Sequence, residues 1–178
     1  LADDHAGCRR FLENISQQAG GTTDPSVAYI LARAFGLSPQ PTADAQQTGR
    51  WAEMATRSDA KAWHLHVLGL VQYRAGRLEE AVRTLEASNV LKWRGGTSLN
   101  WIVLAMTHFK LGDQDTASEY LRRADEWRNG LLDEAQAGRV DAQSIDWLAF
   151  HVLRRDAEQL IEKAAAREQP LQADKPQL

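Results

Sequence analysis

The chain has 178 residues, of which 43% are hydrophobic, and a net charge of −3: enough to bury a core, and without the broad positive surface on which nucleic-acid affinity depends. Alanine and leucine number 27 and 21 against 8 valines and 5 isoleucines, a composition that leans towards helix. The five prolines stand at 25, 39, 41, 170 and 176, so residues 42–169 lack the residue that most often breaks helices.

Phe11, Leu12 and Ile15 among polar neighbours, followed by Gly20-Gly21, predict a first helix over 1–19 with its stop signal. Thr23-Asp24-Pro25 opens a second, because Asp24 can accept from free amides while Pro25 loses nothing at the first turn. Val27, Ile30, Leu31 and Ala34 form its apolar stripe, and Gly36 to Pro41 ends it. A third helix is expected from Thr42 to Arg57, with Trp51 and Met54-Ala55 inward. From Ala60 to Ala75 apolar residues recur at helical spacing, Gly76 interrupts, and a further helix follows from Arg77 to Ser88. The pattern then recurs: Thr97 or Ser98 as cap, a helix to Leu111, Gly112, Asp113 as cap, and a helix to Arg128 before Asn129-Gly130. A polar connector over 129–143 leads to a last helix from Ser144, carrying Trp147, Phe150, Leu153, Ala157 and Leu160. The tail from 167 to 178 has little apolar content and is expected to be disordered.

The two hairpins superpose at a constant offset of 36 residues: Leu68 with Leu104, Gly69 with Ala105, Tyr73 with Phe109, Gly76 with Gly112, Ala81 with Ala117, Leu85 with Leu121 and Ser88 with Ala124. Helix–turn–helix units repeating at this period are the mark of a stacked helical array. The small members belong where paired helices approach most closely, and the leucines fill the gaps between them.

These residues resemble the tetratricopeptide repeat. Leu65, Leu68, Gly69, Gly76, Ala81, Leu85 and Ser88 fall on its positions in one unit (60–93), and Trp101, Leu104, Ala105, Gly112, Ala117, Leu121 and Ala124 in the next (96–129). The terminal proline of the repeat is replaced by Trp93 and Asn129, and the connector is longer by two residues. The resemblance implies an all-α, right-handed α-α superhelix over 1–166, with a degenerate repeat at 24–57 and a capping helix at 144–163. Strings such as Tyr73-Arg74-Ala75-Gly76-Arg77 are similar to helical-repeat segments of large bacterial regulatory proteins. With the absent initiator Met, this similarity implies a piece of a longer signalling protein, and makes regulation of a neighbouring serine/threonine kinase the alternative function. Kinase motifs themselves are absent from this sequence.

The resemblance also implies a non-catalytic module that binds a protein or peptide along its first helices. On the first unit the groove residues would be Trp63, His66, Leu70, Tyr73 and Arg74; on the second, Leu99, Ile102, Met106, Phe109 and Lys110. His66, Leu70 and Val103 occupy the positions of the carboxylate clamp found in chaperone-binding relatives, so that clamp is missing. So apolar a groove either receives an amphipathic helix or apolar peptide, with Arg74 and Lys110 steering acidic groups at the rim, or is partly covered by the terminal helices. We expect partial covering, because short arrays need caps. No metal, cofactor or small-molecule substrate is expected: His64 and His66 stand two apart and face different sides, and His5 with Cys8 lack further ligands. Glu79 with Arg83 and Glu119 with Arg123 read as surface pairs. The lone Cys8 fits a reducing, cytoplasmic setting. No apolar run approaches the ~18 residues of a membrane span, and residues 1–5 lack the features of a signal peptide.

Overall fold

A computed structural model describes residues 5–38, 45–57, 60–91, 93, 96–137 and 145–173. Among these, eight helices account for the regular structure: α1 (His5–Ala19), α2 (Pro25–Leu37), α3 (Ala45–Thr56), α4 (Ala62–Arg74), α5 (Leu78–Val90), α6 (Gly96–Lys110), α7 (Gln114–Gln136) and α8 (Ile145–Ala173). Sequence neighbours pair as antiparallel hairpins, α2 with α3, α4 with α5 and α6 with α7, while α2, α4 and α6 stack side by side. The fold is an all-α helical repeat.

Local chemistry explains the boundaries. The Asp24 carboxylate accepts from the Ser26 amide at 2.8 Å, and Pro25 occupies the first turn of α2. Both repeat hairpins turn through the same hydrogen-bonded motif. Gly76 (φ 76°) and Gly112 (φ 85°) adopt the left-handed conformation that side chains resist. The next amides, of Arg77 and Asp113, donate back to the carbonyls of Gln72 (2.9 Å) and His108 (3.0 Å). Asp113 then caps α7 by accepting from the Thr116 amide at 3.1 Å.

Two apolar clusters hold the stack. One joins α1, α2, α3 and α4 through Leu12, Leu31, Phe35, Trp51, Val67 and Val71. The other joins α4 to α8 around Leu70, Leu85, Ile102, Met106, Phe150 and Leu153. Close approach within the hairpin is literal at Gly69, where an added Cβ would lie 2.6 Å from Leu85 Cγ. Ala81 and Ala117 are likewise buried at the positions the alignment requires to be small.

Four expectations are corrected. Thr97 and Ser98 do not cap α6 but lie inside it, since the helix starts at Gly96; the extra connector length is taken up as an added half-turn. Asn129-Gly130 does not end α7, which continues to Gln136. Gly130 is not among the positive-φ glycines, and with Leu-Leu-Asp-Glu-Ala-Gln following, helix propensity outweighs its cost of roughly 1 kcal/mol. The helix α8 runs through Pro170 to Ala173, past residue 167, where a disordered tail was expected; the alanine- and glutamine-rich stretch favours helix, and a proline removes one backbone bond. Glu119 pairs with Arg122 rather than Arg123, because Arg123 folds back over the Trp101 ring at 4.7 Å. The expected start of α8 at Ser144, the connector over 138–143 and the tail over 174–178 lie outside the described residues.

Candidate functional site

The stacked first helices α2, α4 and α6 form one wall, and α8 lies against it, packing along α6 and reaching α2. Its buried residues Phe150, Leu153 and Ala157 recur at a three-four spacing, so a single stripe of the helix faces the wall. That stripe joins the same cluster as Leu70, Tyr73, Leu99, Ile102 and Met106. A segment of the chain itself thus lies in the groove; of the two terminal helices expected to cover it, α8 packs on α6 and α2, whereas among the described residues α1 packs on α2 alone.

Charge fixes how α8 sits. Arg33 of α2 pairs with Asp146 at 3.2 Å, and its other amino group donates to the Tyr29 hydroxyl. Arg74 of α4 pairs with Asp156 and also donates to the Gly36 carbonyl at 3.1 Å. Arg154 of α8 grips Asp125 of α7 through two parallel bonds of 3.0 Å, a fork that favours one geometry. Trp127 of α7 meets Phe150 with ring centroids 5.6 Å apart.

The predicted groove residues fall into two groups. At the far end of the wall Tyr73, Arg74, Met106, Phe109 and Lys110 come together. Tyr73 is 3% exposed, and burial pushes its hydroxyl up to about 12. The Lys110 ammonium lies 4.1 Å from the Tyr73 ring centroid, and burial, aided by Arg74, lowers its pKa. Leu70, Leu99 and Ile102 lie wholly in the core and are closed to a partner. At the near end, half-buried Trp63 stands beside Trp93, with centroids 6.5 Å apart, and His66 is buried within 5.6 Å of the same ring.

His66 is a structural joint rather than a groove contact. Its Nδ1 lies 2.8 Å from Asn100 Oδ1. The Asn100 amide donates to Ser88 Oγ at 2.9 Å and to Asn89 Oδ1 at 2.8 Å, and the Ser88 hydroxyl donates to the Ala62 carbonyl at 2.7 Å. This buried chain ties α4, α5 and α6 together. Burial holds the His66 imidazole down at about 4, against a smaller opposing effect of the Asn100 hydrogen bond, so it is neutral at physiological pH.

Sequence reasoning missed Arg33, Asn100, Asp125, Asp146, Arg154 and Asp156. An asparagine inside the apolar run Leu99–Met106 was a usable signal for Asn100; the ion-pair partners stand far apart in sequence and carry none. The remaining histidines have local roles: His108 lies 3.3 Å from Asp113 at the second turn, and His151 meets Trp147 edge-on. The side chains of His5 and Cys8 lie outside the described residues. Among the described residues no group of three His, Cys, Asp or Glu side chains is placed to hold a metal ion, and no helix is long and apolar enough to cross a membrane.

Neither a curated protein nor a solved structure matches the chain. A family model described as tetratricopeptide repeat matches residues 100–131, which span most of α6, the Gly112 turn and α7 as far as Leu131. The hairpin geometry at Gly76 and Gly112, the close approach at Gly69 and this match agree: the α6–α7 hairpin is similar to a tetratricopeptide repeat, set in an all-α helical-repeat fold.

Proposed function

We propose that the chain is a non-catalytic protein–protein interaction module of the cytoplasm, whose recognition wall is built from Tyr73, Arg74, Met106, Phe109 and Lys110, with Trp63 and His66 bracing its near end. The carrying observation is that the wall already holds an amphipathic helix. Phe150, Leu153 and Ala157 enter it, and Asp156 meets Arg74 at the rim, which is the helix-in-groove mode of recognition. The non-catalytic part of the reading is supported by the histidines, of which His66 serves a buried joint and His108 a turn. The cytoplasmic part is supported by the single cysteine.

The test uses the full chain with Phe150→Asp and Leu153→Asp, which removes the apolar anchors of α8 and leaves the wall intact. A labelled peptide of residues 145–164 is expected to bind this variant saturably, and Met106→Glu in the same background is expected to abolish binding. A variant that keeps its helical signal yet binds no peptide refutes the reading.

A further inference from the structure

The ion pairs are distributed unevenly. Among the described residues, each pair that joins two different helices has one partner on α8: Asp146 with Arg33, Asp156 with Arg74, and Arg154 with Asp125. Their side chains are 10–30% exposed. The other pairs are local, and each has a partner at least 45% exposed. Among the described residues the hairpins α2 to α7 hold to one another through apolar contacts, the His66–Asn100–Ser88 chain and the Arg74 bond to the Gly36 carbonyl. A half-buried pair is screened less than a surface pair but still responds to salt.

The apolar grip of α8 is a single stripe, Ala149, Phe150, Leu153 and Ala157, with Leu160 beside it. Of the described large side chains of α8, Phe150 and Leu153 are fully buried, while Leu148 is 65% exposed. Ala157 and Leu160 of α8 line a shallow apolar recess together with Met106, Phe109, Ala117 and Leu121.

We infer that α8 is an exchangeable occupant positioned by charge, and that its site receives a helix of another protein bearing the same arrangement. This rests on the interaction reading above. In that arrangement an aromatic, a leucine, a small residue and a leucine follow one another at three- and four-residue steps, as Phe150, Leu153, Ala157 and Leu160 do. Acidic residues stand four before the first and one before the third, as Asp146 and Asp156 do, to meet Arg33 and Arg74. A basic residue follows the second, as Arg154 does, to meet Asp125. A helix of this kind re-forms the contacts that α8 gives up, so exchange is opposed chiefly by the effective concentration of the tethered helix.

The test is hydrogen–deuterium exchange on the full chain carrying Asp146→Lys and Asp156→Lys, read helix by helix. The expected result is exchange about tenfold or more faster in α8, with α4, α5 and α6 as protected as in the parent; about 1 M NaCl should shift the parent in the same direction. A labelled peptide of residues 145–164 should bind this variant at least about tenfold more tightly than the parent, since its own aspartates restore the pairs. A peptide with lysine at both positions should not. Unchanged protection of α8 overturns the inference while leaving the interaction reading standing, provided the Phe150→Asp/Leu153→Asp chain binds the peptide. Loss of protection in α4 to α6 together with α8 overturns it too, since α8 would then be an inseparable part of the core. Fast exchange in α8 without peptide binding by either variant overturns both. A dimer by light scattering, with α8 swapped between two copies, overturns the choice of partner.

Discussion

Acidification should destabilise this protein through His66. Its imidazole, 2% exposed, is held at about 4 by burial against an ordinary value of 6.5. The Asn100 hydrogen bond and the nearby Asp146 raise it less than burial lowers it, and Arg33 lowers it further. The folded state therefore binds its proton later than the unfolded state does. The stability this supplies is complete above pH 6.5 and is lost as pH falls towards 4. The fall from 6.5 to about 4 corresponds to roughly 3 kcal/mol, of which about half is gone by pH 5.5 and most by pH 4.5. Against a typical stability of roughly 5–15 kcal/mol this is large. The assay is urea denaturation at pH 7.5, 6.5, 5.5 and 4.5 for the parent and for His66→Gln. The variant should be less stable at pH 7.5, because it disturbs the buried chain to Asn100, yet its stability should fall less steeply with acid. Parallel pH profiles for the two proteins would refute the reasoning.

Two further expectations concern the hairpins and are checked by thermal or urea melts. Gly69→Ala should destabilise by about 1–3 kcal/mol, because its Cβ would meet Leu85 Cγ at 2.6 Å and overpacking outweighs the gain in helix propensity; a more stable variant would contradict the close approach of α4 and α5. Gly112→Ala, at φ 85°, should cost about 1–2 kcal/mol. Gly130→Ala, inside α7 where an added Cβ meets nothing within 4 Å, should instead stabilise by about 0.5–1 kcal/mol, so a shared sign for these two substitutions would refute the distinction between the glycines.

What was legible from the sequence is what repeats locally. The offset of 36 located Gly76 and Gly112, and with them the turn motif, because a positive-φ glycine and its small and leucine neighbours act within one hairpin. Asp24 and Pro25 were legible for the same reason. Where a glycine carries no such partners, as at Gly130, the same letter misled. The exposure of the groove residues was not legible, since Leu70, Leu99, Ile102 and Met106 are buried in a cluster to which α8, far away in sequence, contributes. Arg74 and Asp156 are 82 residues apart, and nothing periodic links them. His66 was placed on the wall by its repeat position, yet its partner Asn100 draws it into the joint.

That joint bears on why the wall keeps its shape when α8 does or does not cover it. The repeat normally places a proline at the end of each unit; here Trp93 stands there, and its ring fills the space over Gly96 so fully that an added Cβ would lie 1.9 Å from it. The same joint is crossed by the Ser88–Asn100–His66 chain, whose members are each nearly fully buried. Breaking one hydrogen bond there leaves a buried polar group unsatisfied, at about 1–3 kcal/mol, and any rotation of α6 against α4 breaks several together. The α4–α6 wall is thus tied by a buried polar chain, while the helix upon it is held by three half-buried ion pairs and one apolar stripe. A wall so tied, with an exchangeable helix, is what an interaction module needs: the recognition surface is preorganised, and binding does not have to supply the ordering of the site.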